Sequence, residues 1–310
     1  MKTGVDSTQT SLASIVIPTR FRVEELRELI HSVFAQTVPV EILVMDDGES
    51  DVLSEMLRVE FPQVRYLKLG SGRGPAFQRN RGIEFATHPI VFFVDDDTLL
   101  VSPKTLEQTL AEFEHPRIGA VGIPFINVRQ GQALQQRASA AGIQVAHAFV
   151  GAAHAVRRDV FLKVGGYREH FFYMGEEGDL CLRMMQAGYV MRLGRADPIH
   201  HLESPRRNLG RAGFSGRRND ILFCWHNVPM SHFVPHLLAT TSNGVCEAVR
   251  KRCVAPMLRG IASGYLDFFR RWNERRPVPL VIYRLHRFLK KHGPRPLSDI
   301  EPLLPSIQNH

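Results

Sequence analysis

Val91-Phe92-Phe93-Val94-Asp95-Asp96-Asp97 places four apolar residues directly before three consecutive carboxylates. A short β-branched and aromatic run reads as a strand buried on both faces, and open α/β sheets place ligands beyond the carboxyl ends of such strands. The acidic triplet is therefore the candidate active site. Three adjacent like charges are costly in a partly desolvated cleft unless a cation sits among them, and carboxylate oxygens suit Mg2+ or Mn2+. The competing reading is a solvated acidic turn.

Upstream, Ser14 to Pro18 is a β-branched run stopped by proline, and Val23 to Phe34 places Val23, Leu26, Ile30, Val33 and Phe34 on one helical face. A second strand, Val40 to Met45, runs into Asp46-Asp47-Gly48. A helix bearing Val52, Leu53, Met56 and Leu57 and a third strand, Val64 to Leu69, follow. Strands alternating with helices imply crossover connections and a mixed, mainly parallel α/β sheet flanked by helices. The glycine-rich turn Gly70 to Pro75 opens a helix through Arg79 to Ala86 and offers backbone N–H groups to phosphate, although it is neither a Walker A loop nor a dinucleotide fingerprint.

Downstream, Pro103 to Phe113 reads as a helix and Ile118 to Ile126 as a strand. Gly131 to Gly142 reads as an exposed excursion near the substrate. Val150 to Arg158, the helix Asp159 to Val164 and Gly165-Gly166-Tyr167 lead to Phe171-Phe172-Tyr173-Met174-Gly175-Glu176-Glu177-Gly178-Asp179. Asp179 at a helix N-terminus is explained by the dipole alone, whereas two glutamates flanked by aromatics form a setting for a tuned general base.

The 310 residues suit one large α/β domain with an appendage, and Cys181, Cys224, Cys246 and Cys253 lack metal-site spacing. Met1 to Ser14 is polar without an apolar core, so reduced thiols and a cytoplasmic protein are expected. No apolar stretch approaches the roughly 20 residues that span a bilayer. The net charge of +8 points to an anionic partner, and its Arg and Lys crowd Arg206 to Lys291. The N-terminal part thus reads as chemistry and the C-terminal part as attachment.

Taken together, SIVIPT (Ser14 to Thr19), Ala35-Gln36-Thr37, ILVMDDGESD (Ile42 to Asp51), RNRGIEFA (Arg79 to Ala86), FFVDDD (Phe92 to Asp97), VGGYRE and GEEGDLCLRMMQAGY resemble the family-2 inverting glycosyltransferases of GT-A fold, over roughly residues 12–225. The resemblance implies a nucleotide-diphospho-sugar donor and a hydroxyl acceptor. It places Pro18, Thr19, Arg20, Asp46 or Asp47, and Arg79 around the nucleotide, and Asp97 on a Mn2+ or Mg2+ ion, with Asp95 and Asp96 holding ribose or metal-bound water. Asp95 is the second metal candidate. Glu177 aligns with the base, Glu176 is its rival, and Asp179 completes the acidic motif. Two departures stand out: Arg20-Phe21-Arg22 where many members carry asparagine after the threonine, and EEGD where EDxD is usual.

In similar enzymes a histidine near Asp197 to Arg207 approaches the metal or diphosphate, and His200 is favoured narrowly over His201. Of the arginines that follow, Arg207 and Arg218 are expected to close over the diphosphate. The expected division is a flexible residues 1–13, a catalytic domain at 14–225 and a basic helical extension at 226–310. That extension suits an anionic membrane face presenting a lipid-linked acceptor, or packing on the catalytic domain or a second subunit. A nucleotidyltransferase would share the nucleotide site but usually carries an N-terminal glycine-rich loop that residues 15–25 lack. A nucleic-acid-binding protein would leave both acidic clusters unexplained, so no nucleic acid is expected.

Overall fold

A computed structural model describes residues 12–70, 72–202 and 209–307. The first half alternates as the sequence pattern predicts: β1 (Ala13–Thr19), α1 (Val23–Phe34), β2 (Val40–Asp46), α2 (Val52–Glu60), β3 (Arg65–Lys68), α3 (Pro75–Phe85) and β4 (Ile90–Val94). Then come β5 (Thr98–Leu99), α4 (Thr105–Ala111), β6 (Ile118–Gly122), β7 (Phe125–Asn127), β8 (Leu134–Gln135), β9 (Gln144–Ala146), β10 (Ala153–Arg157) and α5 (Arg158–Lys163). The chain continues through α6 (Glu176–Gln186), β11 (Val190–Leu193), β12 (Ile199–His201), α7 (Leu209–Asn227), α8 (Met230–Arg250), α9 (Val254–Arg270) and α10 (Leu280–His292). It closes with β13 (Arg295–Pro296) and α11 (Leu297–Ile300).

The main sheet has nine strands in the order β13-β9-β11-β6-β10-β4-β1-β2-β3. Its pairings leave only β9 and β10 running against the other seven, so the sheet is mixed and mainly parallel. Period-two alternation explains why its central strands are apolar throughout. Ile15, Ile17, Val44, Phe92 and Val94 face α1 and α2. Val16, Leu43, Met45, Val91 and Phe93 enter the core covered by α3, α5 and α6.

β1, β2 and β4 lie side by side in parallel, so Thr19, Asp46 and Asp95 emerge along one rim. A second sheet, β5-β12-β7-β8, sets His201 opposite Asn127 and Thr98. The excursion at 131–142 is better anchored than its composition suggests. Gln136 donates from Nε2 to Ile123 O and Ala153 O, at 2.9 and 2.8 Å.

The expected boundary at 225/226 falls inside α7. A third core joins Val145, Leu182, Met185 and Val190 of the α/β layer to Trp225, Phe268, Ile282 and Leu289, and β13 pairs with β9. The C-terminal helices are thereby built into the fold. Residues 1–11 of the expected N-terminal arm lie outside the described residues, and β1 already begins at Ala13.

Candidate active site

The strand tips, the second sheet, the N-terminus of α6 and the start of α7 enclose a cleft of about 790 Å3. Its floor is the acidic triplet. Asp95, Asp97 and His201 converge so that one ligand atom from each lies within 4.8 Å of the others. His201 Nδ1 lies 2.7 Å from Asn127 Oδ1, an acceptor, so the ring donates there and turns Nε2 toward Asp97 Oδ1 at 3.4 Å. In the neutral tautomer these two atoms are both acceptors, and Asp97 Oδ1 is buried without a hydrogen-bond partner. A proton on Nε2, which makes His201 a donor to Asp97, or a metal cation between the two atoms removes the repulsion. The donor set, two carboxylates and an imidazole oriented by its other nitrogen, therefore fits a divalent metal.

Of the two histidines, the fold brings His201 to the cleft. Neighbouring residues on a strand face opposite ways, and it is His201 that lines the cleft while His200 is turned away from it.

Arg22, which sequence reasoning noted only as a departure, places its Nη1 2.7 Å from both Asp96 Oδ1 and Asp97 Oδ2. Burial pushes the Asp96 carboxyl up, to about 7, against the pull of Arg22, and Thr19 Oγ1 donates to its second oxygen at 2.8 Å. Burial also opposes ionisation of Asp97, but His201 and Arg22 outweigh it and hold that carboxyl low. Asp96 thus faces β1, and Asp97 faces His201. Pro18, Thr19 and Arg20 line the same wall.

Arg79 is buried and donates from Nη2 to Asp95 Oδ1 at 2.6 Å and to Gly151 O at 3.1 Å. The same Gly151 meets the candidate base: a Cβ there would lie 2.6 Å from Glu177 Oε1, and its N–H donates to Glu177. A side chain there would push the carboxylate from this position. Burial raises the Glu177 carboxyl, and burial together with the neighbouring Glu177 raises Glu176. Both line the cleft, but Glu176 is 2% exposed with Oε2 unpaired and Oε1 3.9 Å from Arg79, whereas Glu177 is only half-buried.

The segment leading to these glutamates is strained, with Phe172 and Met174 at φ of 60° and 74°. Asn219 of α7 holds it, donating from Nδ2 to Phe171 O, Tyr173 O and Met174 O at 2.7, 2.9 and 2.7 Å. No local pattern around Asn219 announced this role, because its partners lie more than forty residues away.

Several expected residues are engaged elsewhere. Asp179 is buried among Arg168, Arg183 and Asn227, and it braces α6 rather than facing substrate. Asp47 accepts from the N–H groups of Gly72 and Gly74 at 2.8 and 2.9 Å, so the anion cradled by the glycine-rich turn is the protein's own carboxylate. Asp46 accepts from Gly48 N–H and Tyr66 O–H and borders a separate cavity of about 210 Å3 with Phe21 and Val52. Arg218 pairs with Asp267 and His170 O, away from the cleft, while Arg211 lines it against the Phe172 ring. Arg207 lies outside the described residues.

Comparison with known proteins fits this geometry. The model for glycosyl transferase family 2 matches residues 14–174, more than half of the chain and the whole run from β1 to the threshold of α6. The chain belongs to glycosyl transferase family 2. Among curated relatives, the pre-mycofactocin glycosyltransferase of Mycobacterium tuberculosis is 28% identical over 196 residues, covering 58% of this chain and 40% of that protein. The glucosyl-dolichyl phosphate glucuronosyltransferase of Haloferax volcanii is 26% identical over 190 residues, covering 56% and 59%. The match therefore spans less than two thirds of either relative's length.

Two solved structures share the GT-A fold. One is the mannosyltransferase PcManGT from Pyrobaculum calidifontis in complex with GDP-Man and Mn2+, with a TM-score of 0.56, 15% identity and coverage of 86% of this chain and 89% of that one. The other is S. aureus TarS 1-349 in complex with UDP-GlcNAc, with a TM-score of 0.60, 13% identity and coverage of 91% and 88%.

Proposed function

We propose that this family-2 member is a metal-dependent inverting glycosyltransferase that moves a sugar from a nucleotide-diphospho-sugar donor to a hydroxyl acceptor. The observation that carries the reading is that one cleft brings Asp95, Asp97 and His201 together with Glu177 at the N-terminus of α6. Asp97, His201 and Asp95 would hold the cation, and the imidazole in that set favours Mn2+ over Mg2+. When bound, the ion supplies Lewis-acid neutralisation of charge on the leaving diphosphate.

The chain's own residues do the rest. Pro18, Thr19 and Arg20 form the nucleotide wall, and Arg79 fixes Asp95 and the Gly151 carbonyl. Glu177 takes the proton from the acceptor hydroxyl at its carboxylate oxygen as that hydroxyl attacks the anomeric carbon. Attack opposite the leaving group inverts the configuration, without a covalent sugar on the protein. The raised Glu177 carboxyl suits this work, because a stronger base accepts the proton more readily.

The Haloferax relative is named for glucosyl-dolichyl phosphate. We extend the proposal to a lipid-linked acceptor met at a membrane surface. The test is a panel of UDP-, GDP- and dTDP-sugars with Mn2+ and candidate acceptors, with the product's anomeric configuration read by NMR. Inversion at the transferred sugar is expected; retention, or turnover by Glu177→Gln equal to wild type, contradicts the mechanism.

A further inference from the structure

Beyond the cleft, the α8–α9 hairpin carries surface that the chemistry does not use. On α8, Met230, Val234, Leu238, Val245 and Val249 recur at helical spacing and are between 41% and 67% exposed. On α9, Val254, Leu258, Leu266 and Phe269 do the same, between 41% and 64% exposed, and Trp272 follows at 56%. The neighbouring faces already hold the protein together through Phe233 and Ala248 on α8 and Met257, Ile261 and Phe268 on α9. An exposed apolar stripe that widens the buried one in this way marks a surface that meets a partner.

Charge indicates what covers them. Residues 228–293 hold 12 Lys and Arg against 3 Asp and Glu, so the whole excess behind the net +8 resides in this segment. All three acids are already paired: Glu247 with Arg217 and Lys251, Asp267 with Arg218, Glu274 with Arg271. Lys251 and Arg252 sit exposed at the hairpin turn, and Arg259 and Arg270 are exposed on α9. A second copy of this surface would bring two strongly positive faces together, whereas an anionic bilayer supplies both an apolar phase and the opposite charge. Among the described residues no helix is long and apolar enough to cross a membrane, so these helices would lie in its plane.

We propose that α8 and α9 bind the headgroup region of an anionic phospholipid bilayer, with their exposed apolar stripes inserted and the surrounding arginines and lysines on the phosphates. This deepens the lipid-linked acceptor reading and would seat α7, whose Asn219 holds the Phe171–Met174 segment, beside the membrane.

The test is flotation of the full chain with phosphatidylcholine vesicles and with vesicles containing phosphatidylglycerol. Binding only to the anionic vesicles, weakening with added salt, is expected. Arg252→Glu/Arg259→Glu should lower partitioning by at least about 25-fold, at about fivefold per basic residue removed. Leu238→Ser/Leu266→Ser should lower it roughly tenfold or more, and because both leucines are exposed these variants should keep the wild-type unfolding temperature. Absence of binding to anionic vesicles, binding indifferent to both variants, or a wild-type dimer in light scattering that Leu238→Ser/Leu266→Ser splits into monomers would overturn the proposal. Donor binding is measured on the same samples without vesicles, so failure of this surface and failure of the transferase reading are separately visible.

Discussion

Glu177 owes its position to three residues that the sequence places far apart: Gly151 leaves room for its carboxylate, Arg79 lies beside it, and Asn219 holds the strained turn before it. Glu177→Gln keeps the shape and much of the hydrogen bonding but cannot take a proton. We predict donor affinity near wild type and a single-turnover rate lower by roughly 10²–10⁴. Because burial raises this carboxyl, its base form is lost as pH falls through the raised value, so wild-type turnover should decline on the acid side at a pH above the ordinary Glu range. A pH–rate profile flat down to that range would contradict the assignment. At this scale the sequence told half the story. A triplet of aspartates and a pair of glutamates are visible as chemistry, but which member of each set faces the cleft depends on strand alternation and helix phase. His201 over His200, and Asp47 spent on its own glycine-rich turn, were therefore legible only in three dimensions.

The N-terminus of α6 and the α7–α9 packing show how single elements carry the site. Burial works against ionised Asp179, but Arg183, Arg168 and Asn227 more than compensate and lower its carboxyl to about 2. The folded state therefore binds this proton less tightly than the unfolded chain. Its stabilisation is present above the unfolded value of 3.8 and is lost as pH falls from there toward 2. Asp179→Asn should cost about 3 kcal/mol near neutral pH, because two partly buried guanidiniums lose their charged partner, and should flatten the acid limb of a urea-denaturation series. On α9, a Cβ at Gly260 would overlap the carbonyl oxygen of Phe214, and one at Gly264 would lie 2.8 Å from Arg218 O. Small residues there let two backbones approach, so Gly260→Val should cost about 2 kcal/mol or more in thermal unfolding. Alternating strands and helices made the α/β half readable in advance. The closeness of α7 and α9 was not, because a glycine in a helix reads as a weak helix former until its neighbour is known.

For the whole molecule, the catalytic layer and the C-terminal helices share the core around Trp225, Phe268 and Ile282, with β13 completing the sheet edge. A chain cut after Trp225 should expose that core and fail to give a cooperative transition, whereas the full chain should unfold in one step by calorimetry. The basic excess of the sequence led to the expectation of an attachment surface; the structure shows that these helices pack on the catalytic layer through their buried residues. The central claim is that Asp97 and His201 hold a cation for a nucleotide-diphospho-sugar in the cleft. It is tested most directly by isothermal titration of UDP-, GDP- and dTDP-sugars into wild type and Asp97→Asn, with and without Mn2+. The account predicts that at least one donor binds wild type more tightly with Mn2+ and that Asp97→Asn loses this metal dependence while remaining folded; binding of none of the donors, or undiminished metal-dependent binding by Asp97→Asn, would contradict it.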